Sequence, residues 1–247
     1  MCTKRIAAAV ILAAALFARP VHSLSAAEIL ARVDATLNAP LDRQLEARLI
    51  LIAKNGSRQE RVIEMLQKGT DRRLARFLAP ADQRGISVLT LPEGLIYLYL
   101  PAYKKVKRIA GHVKNSRFAG TDYSYADMEA KNYSDHYTPA LIKSGDDFWL
   151  LELVPRPEAD SDYARLRLWV RSDNFIAYKT EFYDRRNTLC KRLTSTRIEK
   201  IDGYWTAREH EMHDLARDHR TLMLISEIRF DTGLEDALFS QRTLERQ

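Results

Sequence analysis

Three histidines near the end of the chain come nearest, by type and spacing, to a metal site. His210, His213 and His219 lie in HEMHDLARDH. The helical His-Glu-x-x-His spacing of a zinc protease is absent, and in a strand His210 and His213 would point to opposite faces. A hairpin centred near Ala216 would bring His213 towards His219, which gives two ligands at most. We therefore favour solvated histidines beside a hairpin turn and predict no metal site.

Other catalytic patterns are equally weak. The sequence contains no Gly-x-Ser-x-Gly and neither glycine-rich phosphate motif, so a hydrolase with an activated serine is the weakest hypothesis. The acidic pairs Asp146-Asp147 and Asp160/Asp162 flank strands in turn-like contexts, and turn chemistry accounts for them. We predict a protein that is not an enzyme and that needs no cofactor.

Two basic patterns suggest partners. We interpret residues 104–108 (KKVKR) as a solvated strand at the edge of the sheet, where the charges discourage pairing with a further strand. A docking patch for a membrane protein or for anionic lipid headgroups stays open as the alternative. Residues 163–171 (YARLRLWVR) alternate arginines and aromatics as a nucleic-acid stacking platform does, but an outward face of snorkelling side chains is the simpler interpretation. We predict no nucleic-acid partner.

The first 26 residues have the pattern of a secretory signal peptide. Two basic residues precede an apolar run at residues 6–17, and small residues follow it. The run is shorter than the roughly 20 residues that span a bilayer. Cleavage is predicted after Ser23 or after Ala26. The mature chain is thus expected to be exported, with residues 27–247 forming a single domain.

Removal of the signal changes the charge and leaves one cysteine. Loss of Lys4, Arg5 and Arg19 lowers the formal charge from +6 to +3, which is too weak to indicate a nucleic-acid partner. Cys2 precedes the apolar run and so is no lipid-anchor cysteine. Cys190 has no partner for a disulfide, so the hydrophobic core must hold the fold together.

The mature chain begins with a helix and continues with strands. SAAEILARVDATL predicts an amphipathic helix with Ser25 and Glu28 as a capping box. From QLEARLILIA onward, apolar and polar residues alternate, and Asn55-Gly56 and Pro92-Glu93-Gly94 supply hairpin turns. We predict about ten or eleven antiparallel strands, which must curl, and a short C-terminal helix in LEDALFSQRTL.

An unusual insert, FAGTDYSYADM, interrupts the strands. A Gly-Thr-Asp turn is followed by Ser124 and Asp127 at the spacing of a helix start. Residues 118–132 are therefore predicted to form a lid on the apolar face of the sheet. The lid residues that we predict to be functional are Phe118, Asp122, Tyr123, Tyr125 and Met128.

The segment YLPAYKKVKRI, followed by RFAGTDYSYADM, resembles the LolA-like family of outer membrane lipoprotein-sorting proteins. In that family a Tyr-Leu-Pro…Lys-Arg-Ile segment precedes Phe-x-Gly-Ser-Asp-Phe-Ser-Tyr-Glu-Asp. KTEFYD, GYWTA and LFSQRTLER resemble its second half, so the similarity covers essentially the whole mature chain. The departures are Ala119, Thr121, Tyr123 and Ala126. The arginine that holds the lid in LolA has no match by motif here.

The resemblance implies an unclosed antiparallel β-barrel whose hydrophobic cavity is covered by helices. It also implies a periplasmic carrier that binds acyl chains of lipoproteins or lipids, contacts membranes transiently and passes its cargo toward the outer membrane. This branch of the family is linked with RND-type exporters. An accessory protein of such an exporter, acting through protein–protein contacts, is therefore the alternative function.

An acyl chain gains about 0.8 kcal/mol for each buried methylene, so an apolar inner face could hold one without covalent chemistry. The competing interpretation is that the same side chains pack on the helices as a sealed core. The residues predicted to line the cavity are Leu49, Leu51, Ile63, Met65, Phe77, Tyr97, Tyr99, Trp149, Leu151, Leu166, Leu168, Tyr178 and Phe182.

Overall fold

The computed structural model describes residues 23–129, 131–159 and 161–245. The predicted signal peptide, apart from residues 23–26, lies outside them. The strands are β1 (Asp42–Ile52), β2 (Arg58–Lys68), β3 (Arg72–Ala79), β4 (Ser87–Leu91), β5 (Leu95–Leu100), β6 (Lys105–Arg108), β7 (Tyr137–Ser144), β8 (Phe148–Pro155), β9 (Tyr163–Arg171), β10 (Ala177–Asp184), β11 (Leu189–Ile201), β12 (Tyr204–Asp214) and β13 (His219–Phe230). The α-helices are α1 (Ala26–Leu37), α2 (Tyr133–His136) and α3 (Gln241–Glu245).

All these strands belong to one antiparallel sheet. Its order is β6-β5-β4-β3-β2-β1-β13-β12-β11-β10-β9-β8-β7. The first and last strands of the chain pair in the middle of the sheet, while β6 and β7 form the two edges. The sheet is not closed, as the family resemblance implied. Because β6 and β7 are joined by the lid region, the gap of the barrel falls where the lid is inserted.

The hairpins follow from the turn residues. Gly56 has φ +81 between β1 and β2, where Asn55-Gly56 predicted a tight turn. In β1, Leu45, Ala47, Leu49 and Leu51 are all buried on one face, as their alternation predicted. We call this the inner face of the sheet.

The strand number is 13 rather than ten or eleven. The basic residues of KKVKR form the short edge strand β6, which agrees with the predicted strand edge. The strand β7 was missed because its sequence, YTPALIKS, contains a proline and shows little alternation. Pro139 is tolerated there because β7 is an edge strand.

The helix α1 lies against the inner face. The Ser25 hydroxyl accepts a hydrogen bond from the Glu28 amide, and the Glu28 carboxylate accepts one from the Ser25 amide, so the predicted capping box is present. Ile29, Leu30 and Val33 are buried against residues of β8 to β10. Among the helices of the described residues, none is both long enough and apolar enough to cross a bilayer.

The C-terminal segment packs on the other face of the sheet. The predicted single helix is a 3-10 turn (Asp236–Leu238) followed by α3. Phe239 and Leu244 are buried there. The Asp42 carboxylate accepts hydrogen bonds from the amides of Thr232, Gly233 and Leu234, which fixes the start of this segment.

Candidate ligand-binding cavity

The lid begins with a small loop stabilised by its own backbone. Arg117 and Ser124 form an isolated antiparallel bridge, and the chain reverses between them through Ala119 (φ 46) and Gly120 (φ 78). The Ser124 hydroxyl accepts from the Asp127 amide, while Asp127 accepts from the Ser124 amide. The predicted hydrogen bonds between Ser124 and Asp127 are therefore present, but the element that follows is a single 3-10 turn (Ala126–Met128) whose N-cap is Tyr125 rather than Ser124.

The lid aromatics seal one half of the inner face. We call the part formed by β1–β5 and β13 the first half. Phe118 is 1% exposed and stacks on Phe77 with ring centroids 5.2 Å apart, and Tyr125 packs beside it at 5.8 Å. The other residues of this cluster include Leu49, Leu51, Ile63, Met65 and Met128. These predicted lining residues are packed under the lid.

Arg61 adds a polar contact to this sealed half. Its guanidinium lies over the Phe77 ring, 5.4 Å from the centroid, and donates a hydrogen bond to the Ala119 carbonyl of the lid. A cation over an aromatic face is attracted by the ring quadrupole. Arg61 thus connects β2 to the lid, and no sequence motif had indicated it.

The side chain of Asp122 holds the lid to β13. Asp122 is fully buried. Its carboxylate accepts a hydrogen bond from the Thr221 hydroxyl at 2.7 Å and lies 2.7 Å from His219 Nδ1. The Asp122 amide also donates to Thr221 Oγ1 at 3.0 Å. Of the predicted lid residues, Asp122 makes the polar connection to the sheet, whereas the others pack.

The other half of the inner face, formed by β7–β12, is covered differently. We call it the second half. The helix α1 covers the part near Trp149, Leu151 and Leu168, which belong to one cluster with Ile29 and Leu30. Three more of the predicted lining residues are thus packed against a helix.

Beyond α1, the second half borders a cavity of about 550 Å³. This volume lies within the range of roughly 300–1,000 Å³ that is usual for ligand pockets. Four inner-face residues on neighbouring strands form what we call the floor: Leu166, Phe182, Leu193 and Met212. The cavity reaches the surface, since exposed residues such as Glu93 and Glu158 also line it.

Tyrosines from the lid region, α2 and β9 form part of the wall. Tyr123 packs against the clusters of both halves, and Tyr133 and Tyr163 also line the cavity. Burial raises the pKa of each of these three phenols. They therefore stay neutral and offer hydroxyl groups beside the apolar floor.

Ion pairs form within the lid region and between it and the sheet. Lys114 and Lys131 lie 3.2 and 3.4 Å from the carboxylate of Glu129. Lys191 Nζ lies 3.5 Å from Asp127 Oδ2, and both side chains are largely buried. Each of these carboxylates thus has a lysine partner.

The chain is similar to known proteins over most of its length. A family model described as "-like: Uncharacterized protein" matches residues 69–246. A DUF1329 family protein from Desulfovibrio piger is 28% identical, with a TM-score of 0.84 over 89% of this chain and 97% of that chain. A domain from Vibrio parahaemolyticus, named as an outer membrane lipoprotein-sorting protein, is 27% identical, with a TM-score of 0.79 over 90% and 98%.

The chain belongs to the LolA-like family. A LolA superfamily protein from Nitrosomonas europaea shares the fold, with a TM-score of 0.75 at 22% identity over 90% of this chain and all of that chain. A search of curated proteins finds no significant match. The resemblance seen in the lid motif is therefore confirmed at the level of family and fold.

Within this LolA-like fold, two predicted lining residues lie on the other face of the sheet and a third, Tyr178, lies in a β-bulge. Tyr97 and Tyr99 lie on the outer face, in the cluster with Phe239 and α3. Their strand alternates Ile96 inward with the tyrosines outward, and both faces are apolar, so alternation alone did not distinguish them. A bulge in β10 sets Ala177, rather than Tyr178, opposite Val170.

The floor contains two residues that sequence reasoning missed. Leu193 and Met212 are cross-strand partners on β11 and β12, in strands rich in charged side chains. Leu166 and Phe182, also partners, are predicted lining residues that lie on the inner face. Continuing the inward row across neighbouring strands would have identified Leu193 and Met212.

The three histidines are separate and have partners other than solvent. His219 contacts Asp122, whereas His213 Nε2 lies 3.3 Å from Asp218 Oδ1. His210 Nδ1 lies 2.9 Å from the Ser195 hydroxyl, and burial lowers the pKa of His210 to about 4. The predicted solvated setting is thus wrong for His210 and His219. Within the described ranges, no group of three or more potential ligands could hold a metal ion.

Proposed function

We propose that this protein is a non-catalytic periplasmic carrier that binds acyl chains of lipoproteins or lipids and passes them toward the outer membrane. The observation that supports this most strongly is the cavity of about 550 Å³ whose floor is Leu166, Phe182, Leu193 and Met212. Burial of a methylene on such a floor is worth about 0.8 kcal/mol. The family relationship supports the same function.

The lid regulates access in this proposal. Its aromatic side fills the first half, while Tyr123 faces the cavity from the same segment. Movement of the lid would therefore enlarge the cavity towards Leu49 and Phe77, so that longer or additional chains could enter. The Asp122 contact with Thr221 and His219 sets the cost of that movement.

The experiment begins with protein purified under native conditions and extracted with organic solvent. We expect mass spectrometry of the extract to find acyl-containing lipid at close to one molecule for each protein. A fluorescent fatty acid should bind the delipidated protein in a saturable manner. A clean extract together with no probe uptake would contradict the carrier function and leave the exporter-accessory role as the alternative.

A pair of variants locates the binding. Leu193→Glu places a charge on the cavity floor and should abolish probe uptake, because a buried carboxylate is costly. Leu141→Glu makes the same change on the edge strand β7, where Leu141 is 41% exposed, and should bind like the wild type. Equal uptake by both variants would show that the probe binds elsewhere.

A further inference from the structure

A row of polar side chains crosses the inner face beside the apolar rows. Arg43, Gln67, Arg73 and Thr90 are successive cross-strand partners on β1, β2, β3 and β4. The next inward row on the same strands is apolar and includes Leu45 and Met65. Two positive charges thus face inward in a region where the neighbouring positions are filled by hydrocarbon.

Arg73 lines the cavity, and Gln67 orients it. The Arg73 Nε and one terminal nitrogen donate to Gln67 Oε1 at 3.2 and 2.7 Å, and its other terminal nitrogen donates to the Met128 carbonyl at 3.2 Å. Gln67 is only 3% exposed and is itself held by Asn38 and Gly69. Because a guanidinium has five N–H donors, these bonds use three and leave two for a ligand.

Within the part of the chain that the structure describes, neither Arg43 nor Arg73 forms an ion pair with a carboxylate. Arg43 donates to the Leu37 carbonyl. Glu129 is the carboxylate whose charge acts on Arg73, but it is already paired with Lys114 and Lys131. Both side chains are half-buried, and charges withdrawn from water are normally paired, because an unpaired one is costly. This pair of arginines therefore lacks a counter-ion that a ligand could supply.

The electrostatics agree with the geometry. Burial and, as the smaller cause, the nearby charge of Arg43 lower the pKa of Arg73 to about 9. Burial also lowers the pKa of Arg43, to about 10. Both groups still carry their charge at neutral pH. An anion bound at the cavity side of the two arginines would reduce the repulsion between their charges.

We infer that Arg73, supported by Arg43 and Gln67, binds an anionic phosphate or carboxylate group at one end of an acyl chain that lies on the cavity floor. Guanidinium groups match the oxygens of both anions. This inference rests on the proposed carrier function. It specifies the cargo as a lipid whose acyl chain ends in one anionic group.

The outer part of the cavity distinguishes such a lipid from a free anion. The exposed side chains of Asp71, Glu93, Asp135 and Glu158 lie among the lining residues. Their negative charges repel a small anion that approaches from solvent, whereas the apolar floor attracts a chain that carries the anion with it. The occupant that fits both features is an anion with a hydrocarbon tail.

The test compares four probes on the delipidated full chain: dodecanoate, dodecyl phosphate, dodecanol and inorganic phosphate. Binding is measured by calorimetry at pH 8, below the critical micelle concentrations. We expect the two anionic chains to bind at least about tenfold more tightly than dodecanol, and inorganic phosphate not to compete with them. Comparable affinities for dodecanoate, dodecyl phosphate and dodecanol would overturn the inference from the wild-type protein alone.

Variants assign the preference to Arg73. Arg73→Gln should remove the advantage of the anionic chains while dodecanol binds as before, and Arg73→Lys should keep part of it. Arg48→Gln removes a charge from β1 at a solvent-exposed ion pair with Glu60 and should change nothing. A preference that survives Arg73→Gln would contradict the assignment.

Two further outcomes separate this inference from the carrier function. If no chain binds, including dodecanol, the carrier function fails and the inference fails with it. If dodecanol binds but the anionic chains have no advantage, the carrier function stands and only the role of Arg73 is wrong. Binding of inorganic phosphate as tightly as dodecyl phosphate would instead indicate a free-anion site and would overturn the lipid assignment.

Discussion

The two halves of the inner face are built from the same alternation of apolar and polar residues, yet they are covered differently. In the first half, Phe118 and Tyr125 of the lid fill the space above Phe77. In the second half, α1 covers one part and leaves the floor around Leu193 and Met212 beside a cavity. An inward apolar residue therefore becomes part of the core or of the cavity surface according to what packs above it.

The largest expected difference between the halves is in stability. Phe77→Ala should lower the free energy of unfolding by about 3–5 kcal/mol, because Phe77 has no exposed surface and stacks on Phe118. Phe182→Ala should cost clearly less, since the Phe182 ring already borders the cavity, but it should weaken probe binding. Urea denaturation measures the free energy of unfolding of both variants. Equal losses in the two variants would contradict the distinction between a sealed half and a half that borders a cavity.

Acid should destabilise the junction of the two halves, where His210 lies opposite Met223 of β13 and Ser195 of β11. Burial lowers the pKa of His210 from 6.5 to about 4, so the unfolded chain binds a proton that the folded chain does not. Stability should therefore fall, by up to about 3 kcal/mol, as the pH decreases from 6.5 to 4.

Denaturation of the wild type and His210→Gln at pH 7.5 and 4.5 checks this prediction. The variant should lose less stability over this interval, whereas His213→Gln, the outer-face control, should behave like the wild type. A wild type and His210→Gln variant with the same pH dependence would exclude His210 as the cause.

Loosening the lid should affect the first half more than the second. Asp122→Asn removes the charge that the Thr221 and His219 side chains contact, and the expected loss is about 1.5–3 kcal/mol. Hydrogen exchange should become faster at the amides of Phe118, Thr121 and Tyr125, which are hydrogen-bonded within the lid region. The exposed substitution Asp82→Asn is the control, and unchanged exchange in Asp122→Asn would refute the role of this contact.

The smallest change in stability is expected on the cavity floor. Leu193→Trp should fill part of the cavity and reduce probe binding while stability changes by less than about 1 kcal/mol. The same substitution at Leu49, in the sealed half, should cost about 1–3 kcal/mol through overpacking. Thermal denaturation measures the stability of the two variants, and fluorescence titration measures their probe binding. Undiminished probe binding by Leu193→Trp would mean that the ligand does not use this floor.

Much of the fold could be predicted from local patterns. The capping box of α1, the Asn55-Gly56 hairpin and the inward set of β1 each depend on residues close in sequence, and each is present. The edge strand β7 was missed because Pro139 and weak alternation hide it. Tyr97 and Tyr99 were placed on the wrong face because β5 is apolar on both faces.

The site was less predictable, since it depends on contacts between distant segments. Asp122 contacts Thr221 and His219, which are about a hundred residues away in the sequence. Arg61 contacts Ala119, which is 58 residues away. Arg43 and Arg73 adjoin through Gln67 only once three strands have paired. No local pattern reports such neighbours, whereas the lid motif could be identified because its residues are contiguous.

Our central expectation is that, with the lid closed, an acyl chain lies on the floor of the second half and not within the sealed first half. It is tested most directly by methyl NMR of the delipidated protein with a spin-labelled fatty acid. We predict that the label broadens the methyl signals of Leu166, Leu193 and Met212 and leaves those of Leu49 and Ile63 sharp. Broadening confined to Leu49 and Ile63, or no broadening at either set, would contradict the claim.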